Sequence, residues 1–196
     1  MPMEFDRPIT LKQATALARS QLSDQRFHHS LEVAKAAKAL AVRLGADPEK
    51  AELAGVLHDL CKEWSEADLL KTLEGSDIIK MPYFRDLKAV WHGFAAAVYL
   101  EREGVISSEI ANAIAHHTSG KANMSPLEKA VFLADYISAD RQYETSAQVR
   151  EIAKTDINLA CLTALRNSIT HLMQKGKVVD VCSLEAYNWL LGELEV

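Results

Sequence analysis

With 196 residues, 48% of them hydrophobic, the chain has the material for one domain with a real core, which needs neither disulfides nor a structural metal to fold. A formal charge of −5 lacks the basic excess of a protein that coats a nucleic acid polymer, and no run approaches the about 18 apolar residues of a membrane span. The three cysteines, Cys61, Cys161 and Cys182, are too far apart for a CxxC pair and suit free thiols in a reducing cytosol.

The opening segment MPMEFDRPIT has no apolar stretch and no small-residue cleavage site, which reads as an unprocessed cytoplasmic start. Leu31, Ala34, Leu40 and Leu44, with Val33, Ala37 and Ala41 alongside, then fit a long amphipathic helix stopped by Gly45. Asp47-Pro48 is a capping residue followed by a first-turn proline, and opens a helix expected to carry His58 and Asp59. Ser65 with Asp68, and Ser107 before Ser-Glu-Ile, mark further starts. The strongest start is Ser125-Pro126-Leu127-Glu128, where a capping serine, a proline and a glutamate three residues on agree. It launches an apolar stretch from Ala130 to Ala134, with Asp135 on the same helix. Lys177-Val178-Val179 is the sole short candidate for a strand. Segments 75–83, 119–124 and 140–146 are expected to be the mobile ones. The reading is an all-α bundle of about eight to ten helices at typical helix lengths, forming a single domain over residues 1–196.

Six of the seven histidines fall in singles and adjacent pairs: His28-His29, His58 (followed by Asp59), His92 and His116-His117. Imidazole and carboxylate are common ligands of divalent cations, and these singles and pairs are spaced about 20 to 35 positions apart, so that each single or pair comes from a different helix, as in a metal site built in a bundle core. Lys62 lies four residues beyond His58 and three beyond Asp59, on the same helical face, where an ammonium can stabilise the carboxylate or meet a phosphate. His171 stays unassigned, and His28 is set aside because only one of a helical His-His pair need face inward. Met124, Phe132, Tyr136 and Cys61 read as packing, and Glu101 and Glu103 as a solvated helix end.

The order Arg26-Phe27-His28-His29-Ser30, His58-Asp59-Leu60-Cys61-Lys62 and a distant Asp135 resembles the H...HD...D signature of the HD-domain metal-dependent phosphohydrolases. The stretches His92-Gly93-Phe94-Ala95-Ala96-Ala97 and His116-His117-Thr118-Ser119-Gly120-Lys121, continuing to Asp135-Tyr136-Ile137, are similar to the bacterial YqeK family of symmetrical bis(5′-nucleosyl)-tetraphosphatases. The likeness spans about residues 17–186. It implies an HD-domain fold and hydrolysis of diadenosine tetraphosphate to two ADP. It makes His29, His58, Asp59 and Asp135 ligands of iron or of another divalent ion, manganese, cobalt or zinc. It places His92, His116 and His117 on the phosphate side or at a second ion, so that one or two ions bind. Arg26, Lys62 and Arg141 become phosphate contacts, and residues 176–181 a nucleoside contact. The chain departs from the family at Ser138-Ala139-Asp140-Arg141, where relatives tend to have Glu-Pro-Asn-Arg.

The chemistry is coherent without the family. A polyphosphate repels hydroxide, so its hydrolysis needs a nucleophile available near neutral pH and neutralisation of phosphoryl charge. A metal held by two histidines and two carboxylates lowers the pKa of bound water from about 15.7 towards about 7. Asp59, Lys62, His92 and His116 are therefore the expected catalytic residues, with His92 or His116 donating a proton. Two other readings stay open. One is an HD-type nucleotidase acting on another nucleotide, and the other is an iron-binding regulatory protein without turnover. Tyr187, Trp189, Leu190 and Leu191 are either core or the surface of a homodimer.

Overall fold

The computed structural model describes residues 8–81 and 83–194, so the reading of the first seven residues as a cytoplasmic start lies outside the described residues. Among the described residues ten α-helices follow one another: α1 (Leu11–Gln21), α2 (Asp24–Leu44), α3 (Pro48–Leu57), α4 (Glu66–Leu73), α5 (Lys88–Arg102), α6 (Ser108–Ala115), α7 (Pro126–Ile137), α8 (Glu144–Ala153), α9 (Ile157–Gln174) and α10 (Val181–Glu193). Two short 3₁₀ turns, Asp77–Lys80 and Phe84–Asp86, lie between α4 and α5. No strand occurs among the described residues, and Lys177-Val178-Val179 forms an extended loop before α10. No described helix is long and apolar enough to cross a membrane.

Helix starts are set by side chains that satisfy the orphan N–H groups of the first turn. Asp47 accepts from the amides of Glu49 and Lys50 at 2.9 and 3.2 Å, with Pro48 behind it. Ser65 and Ser107 cap α4 and α6. Ser125 and Glu128 form a reciprocal capping box on α7, as Thr10 and Gln13 do on α1. Gly45 ends α2 in the left-handed region at φ 69°.

The centre of the bundle is α2, packed between α3 and α7. Its buried stripe of Val33, Ala34, Ala37, Leu40 and Ala41 is mostly alanine, which lets neighbouring backbones come close. Gly55 on α3 needs that room, because a Cβ there would sit 2.5 Å from the Ala34 Cα. On the far side α6 joins α3, α5 and α7, while α9 packs against α7, α8 and α10. Met124 and Phe132 are buried, and Tyr136 packs half-buried against the same core. Leu190 is fully buried, with Tyr187, Trp189 and Leu191 half-buried around it. Cys61, Cys161 and Cys182 are free thiols.

One boundary differs from the sequence reading. Helix α3 stops at Leu57, and His58 and Asp59 lie on the tight turns that follow. The cause is local: His58 Nδ1 takes the Gly55 carbonyl at 2.7 Å, and the backbone continues in i to i+3 bonds, Leu60 to Leu57 at 3.1 Å and Lys62 to Asp59 at 2.8 Å.

Candidate metal centre

Six side chains from five parts of the chain converge. His29 comes from α2, His58 and Asp59 from the end of α3, His92 from α5, His117 from the turn after α6, and Asp135 from α7. Their potential ligand atoms form three overlapping triads, each within 4.8 Å: His29-His58-Asp59, His58-His117-Asp135 and Asp59-His92-His117. The rings pack edge to face, with centroids 5.4 Å apart for His29 and His58, 4.8 Å for His58 and His117, and 5.0 Å for His92 and His117.

Helix ends aim two of these rings and a turn aims a third. His58 Nδ1 donates to the Gly55 carbonyl and His117 Nδ1 to the Ile114 carbonyl, each at 2.7 Å, and a carbonyl can only accept. His29 Nδ1 donates to Asp140 Oδ2, also at 2.7 Å. The proton of each neutral ring is thereby held at Nδ1, and the Nε2 lone pairs of His29, His58 and His117 point towards one another and towards Asp59 and Asp135. His29 Nε2 is 3.0 Å from Asp135 Oδ1, and the Nε2 atoms of His92 and His117 are 3.1 Å apart. His58 Nε2 is buried without a hydrogen-bond partner. Buried nitrogen and carboxylate acceptors facing one another need a proton or a cation between them, and a donor set of imidazoles and carboxylates fits a divalent ion.

Asp59 divides its two oxygens. Oδ2 is 2.9 Å from Arg26 Nη1, 3.4 Å from His58 Nε2 and 3.9 Å from His29 Nε2, while Oδ1 is 3.0 Å from His92 Nε2 and 3.8 Å from His117 Nε2. The two oxygens thus face two different sets of imidazoles. Gly93 makes the approach of α5 possible, since a Cβ there would lie 2.9 Å from the His117 Cε1.

Titration follows from burial and from this crowd of charge. Burial opposes ionising Asp59 and Asp135, yet His58 and His92 around the first, and His29, His58 and Arg141 around the second, outweigh it and hold both carboxyls below their usual range. Burial also opposes charging His58, but Asp59 and Asp135 prevail and raise its pKa. Burial lowers His92, and burial with the neighbouring His58 and His92 pushes His117 down to about 3. Lys62 is lowered chiefly by burial, and its Nζ is 3.3 Å from His92 Nε2.

Arg26, Lys62 and Arg141 stand around the cluster. Arg141 donates through Nη2 to Asp135 Oδ1 at 2.6 Å and through Nε to the Asp135 carbonyl at 3.0 Å. His116 is placed apart from the six. Its ring lies edge-on to Phe94 at 5.1 Å, beside a cleft of about 460 Å³ that Met81 and Asn112 also border. Phe94 is two residues beyond His92, and so on the opposite face of α5. His28 is exposed and outside every triad. Two neighbours were not anticipated: Asp140, which holds His29, and Thr118, whose Oγ1 donates to His117 Nε2 at 3.0 Å. Their only sequence signal is adjacency, to Arg141 and His117 respectively.

A helical bundle that gathers four histidines and two aspartates at one buried point defines the class of HD-type metal-binding domains, and residues 26–140 match the HD domain family. The chain is 34% identical to a symmetrical bis(5′-nucleosyl)-tetraphosphatase of Bacillus subtilis and 36% identical to one of Halalkalibacterium halodurans, in both cases over 92% of this chain and 97% of the relative. A crystal structure from Clostridium acetobutylicum, described as a predicted HD superfamily hydrolase involved in NAD metabolism, superposes with a TM-score of 0.82 at 30% identity, covering 94% of this chain and 98% of the other. The chain belongs to the HD-domain family of hydrolases, among the relatives named symmetrical bis(5′-nucleosyl)-tetraphosphatases.

Proposed function

We propose that this protein hydrolyses diadenosine tetraphosphate symmetrically to two ADP, using a divalent metal centre with iron as its first candidate and manganese or cobalt as functional substitutes. The observation that carries this reading is the set of Nε2 lone pairs and carboxylate oxygens enclosed together, ringed by Arg26, Lys62 and Arg141. His29, His58, Asp59 and Asp135 would hold one ion, and Asp59, His92 and His117 a second. An ion bound there supplies Lewis acidity towards phosphoryl oxygen and makes water available as a nucleophile near neutral pH.

The chain's own groups do the rest. Arg26 commits Nη1 to Asp59 and its side chain is 32% exposed, so its remaining N–H groups are accessible to a phosphate. Arg141 is similarly 33% exposed. With Lys62 they offset charge as it moves onto the leaving ADP, a departure that costs less from a diphosphate than from a more basic group. Where a single ion is bound and the second position is not used, His92, next to Lys62 and lowered in pKa by burial, would be placed to hold a proton near the phosphate side. His116, at the end of α6, packs against Phe94 on the face of α5 away from His92, too far for that role, whereas His117 lies beside Asp59. We further propose residues 1–196 as one HD unit, cytoplasmic and without a nucleic acid polymer as partner.

The test is the product pattern. Purified protein loaded with Fe²⁺, Mn²⁺ or Co²⁺ is expected to convert diadenosine tetraphosphate to ADP alone. Release of ATP plus AMP, or no turnover with any of the three ions, would sink the proposal. Faster turnover of a mononucleotide or an alarmone in the same panel would replace it with a nucleotidase.

A further inference from the structure

We infer that Asp140 and Arg150 are positioning residues for the metal centre, an inference that rests on the metal-dependent reading above. The turn between α7 and α8 touches two ligand candidates at once. Asp140 Oδ2 accepts from His29 Nδ1 at 2.7 Å, and the next residue, Arg141, reaches Asp135 Oδ1 at 2.6 Å. Residues 138–143 have no regular secondary structure of their own, so something else must fix them.

That something is Arg150 on α8. Its Nε donates to the Ile137 carbonyl at 3.0 Å, and its Nη2 donates to the carbonyls of Ser138 at 3.1 Å and Arg141 at 3.0 Å. One guanidinium therefore satisfies a carbonyl left open at the end of α7 and both ends of the turn, which the Arg141 amide closes onto the Ser138 carbonyl at 3.0 Å. The order of support is plain: Arg150 fixes the turn, the turn places Asp140 and Arg141, and these orient His29 and Asp135.

Asp140 contributes more than geometry. A carboxylate on Nδ1 fixes the tautomer with the lone pair on Nε2 and increases the basicity of that nitrogen as a ligand, an effect ordinarily worth about 10–100-fold in metal affinity. An asparagine at this position can accept the same hydrogen bond through its amide oxygen, without the charge. Asp140→Asn consequently separates charge from placement, and Asp140→Ala removes both.

The experiment titrates the metal-free full chain with Co²⁺, reading the visible absorption of the bound ion and the affinity by competition with a chelator. Melting temperatures of the metal-free proteins are measured alongside. Asp140→Asn is expected to bind about 10-fold more weakly with an unchanged metal-free Tm, and Asp140→Ala up to about 100-fold more weakly with an altered spectrum. Arg150→Gln is expected to weaken binding and alter the spectrum as well. Failure of the unsubstituted protein to bind Co²⁺ would overturn the metal-dependent reading itself. Normal binding by the unsubstituted protein, with the same affinity and spectrum in both Asp140 variants, would overturn this inference alone. An Arg150→Gln protein that melts earlier but binds Co²⁺ normally would reduce Arg150 to a structural role.

Discussion

Asp59 is the residue on which the two halves of the cluster depend, because Oδ2 faces His29 and His58 while Oδ1 faces His92 and His117. Asp59→Ala is expected to remove metal from both proposed positions, with a loss of affinity beyond the about 100-fold upper range for outer partners. Asp135→Ala should remove it chiefly from the side of His29. Elemental analysis of the purified variants, with far-UV circular dichroism to verify folding, checks this, and full metal content in either would exclude it as a ligand. The histidine pair supplies a sharper contrast. His117→Ala should abolish turnover, whereas His116→Ala, on the far face beside Phe94, should leave kcat/KM within about 10-fold. The sequence marks both members of the pair but does not say which faces inward. That choice is made by the bond from His117 Nδ1 to the Ile114 carbonyl, formed only when α6 ends where it does. Asp140 was harder still to see, since it meets His29 from 111 positions away.

At the level of elements, local signals account for most of the agreement. Asp47, Ser65, Ser107 and Ser125 all cap helices as their patterns indicate, because a cap is decided by three or four consecutive residues. The end of α3 was not legible in the same way. The His58 ring bond to Gly55 is invisible to periodicity, yet it turns both His58 and Asp59 towards the centre. Helix spacing has a functional consequence at Gly93, where an added Cβ would crowd the His117 ring at 2.9 Å and the Ile114 carbonyl at 3.1 Å. Gly93→Ala should cost about 1–3 kcal/mol of stability and, by displacing the ring, about 100-fold in kcat/KM. Retained activity in a folded variant would show that the α5 to α6 spacing is not restrictive. The cap of α10 carries a different prediction. Asp180 Oδ1 accepts from the Cys182 amide at 3.0 Å, but Oδ2 is buried without a partner, and burial raises the carboxyl above its ordinary 3.8. A raised carboxyl binds its proton more tightly in the folded state, so the ionised form weighs against folding above that pKa. Asp180→Asn keeps the cap and should raise Tm at pH 7 by about 2–4 °C, an advantage that shrinks as pH falls towards 3.8.

For the whole molecule, the question is whether the metal builds the fold or only tightens it. The core draws on every helix and is mostly buried leucine, isoleucine, valine and alanine, with a few aromatics, that owe nothing to an ion. The centre, in contrast, brings Asp59, Asp135 and four imidazoles into one enclosed space, a local cost that a cation offsets. The metal-free protein should therefore stay helical by circular dichroism and melt cooperatively, but at a lower temperature. A ligand present at 100 times its Kd stabilises the native state by about 2.7 kcal/mol, which for a chain of this length is about 5–10 °C in Tm. Melting curves with a chelator and with added Mn²⁺ measure the difference directly. Asp59→Ala should show no metal-dependent shift while retaining its cooperative transition. Loss of helical signal on chelation would instead mean that the ion is needed to fold the bundle, and an equal shift in Asp59→Ala would place the stabilising ion somewhere other than this centre.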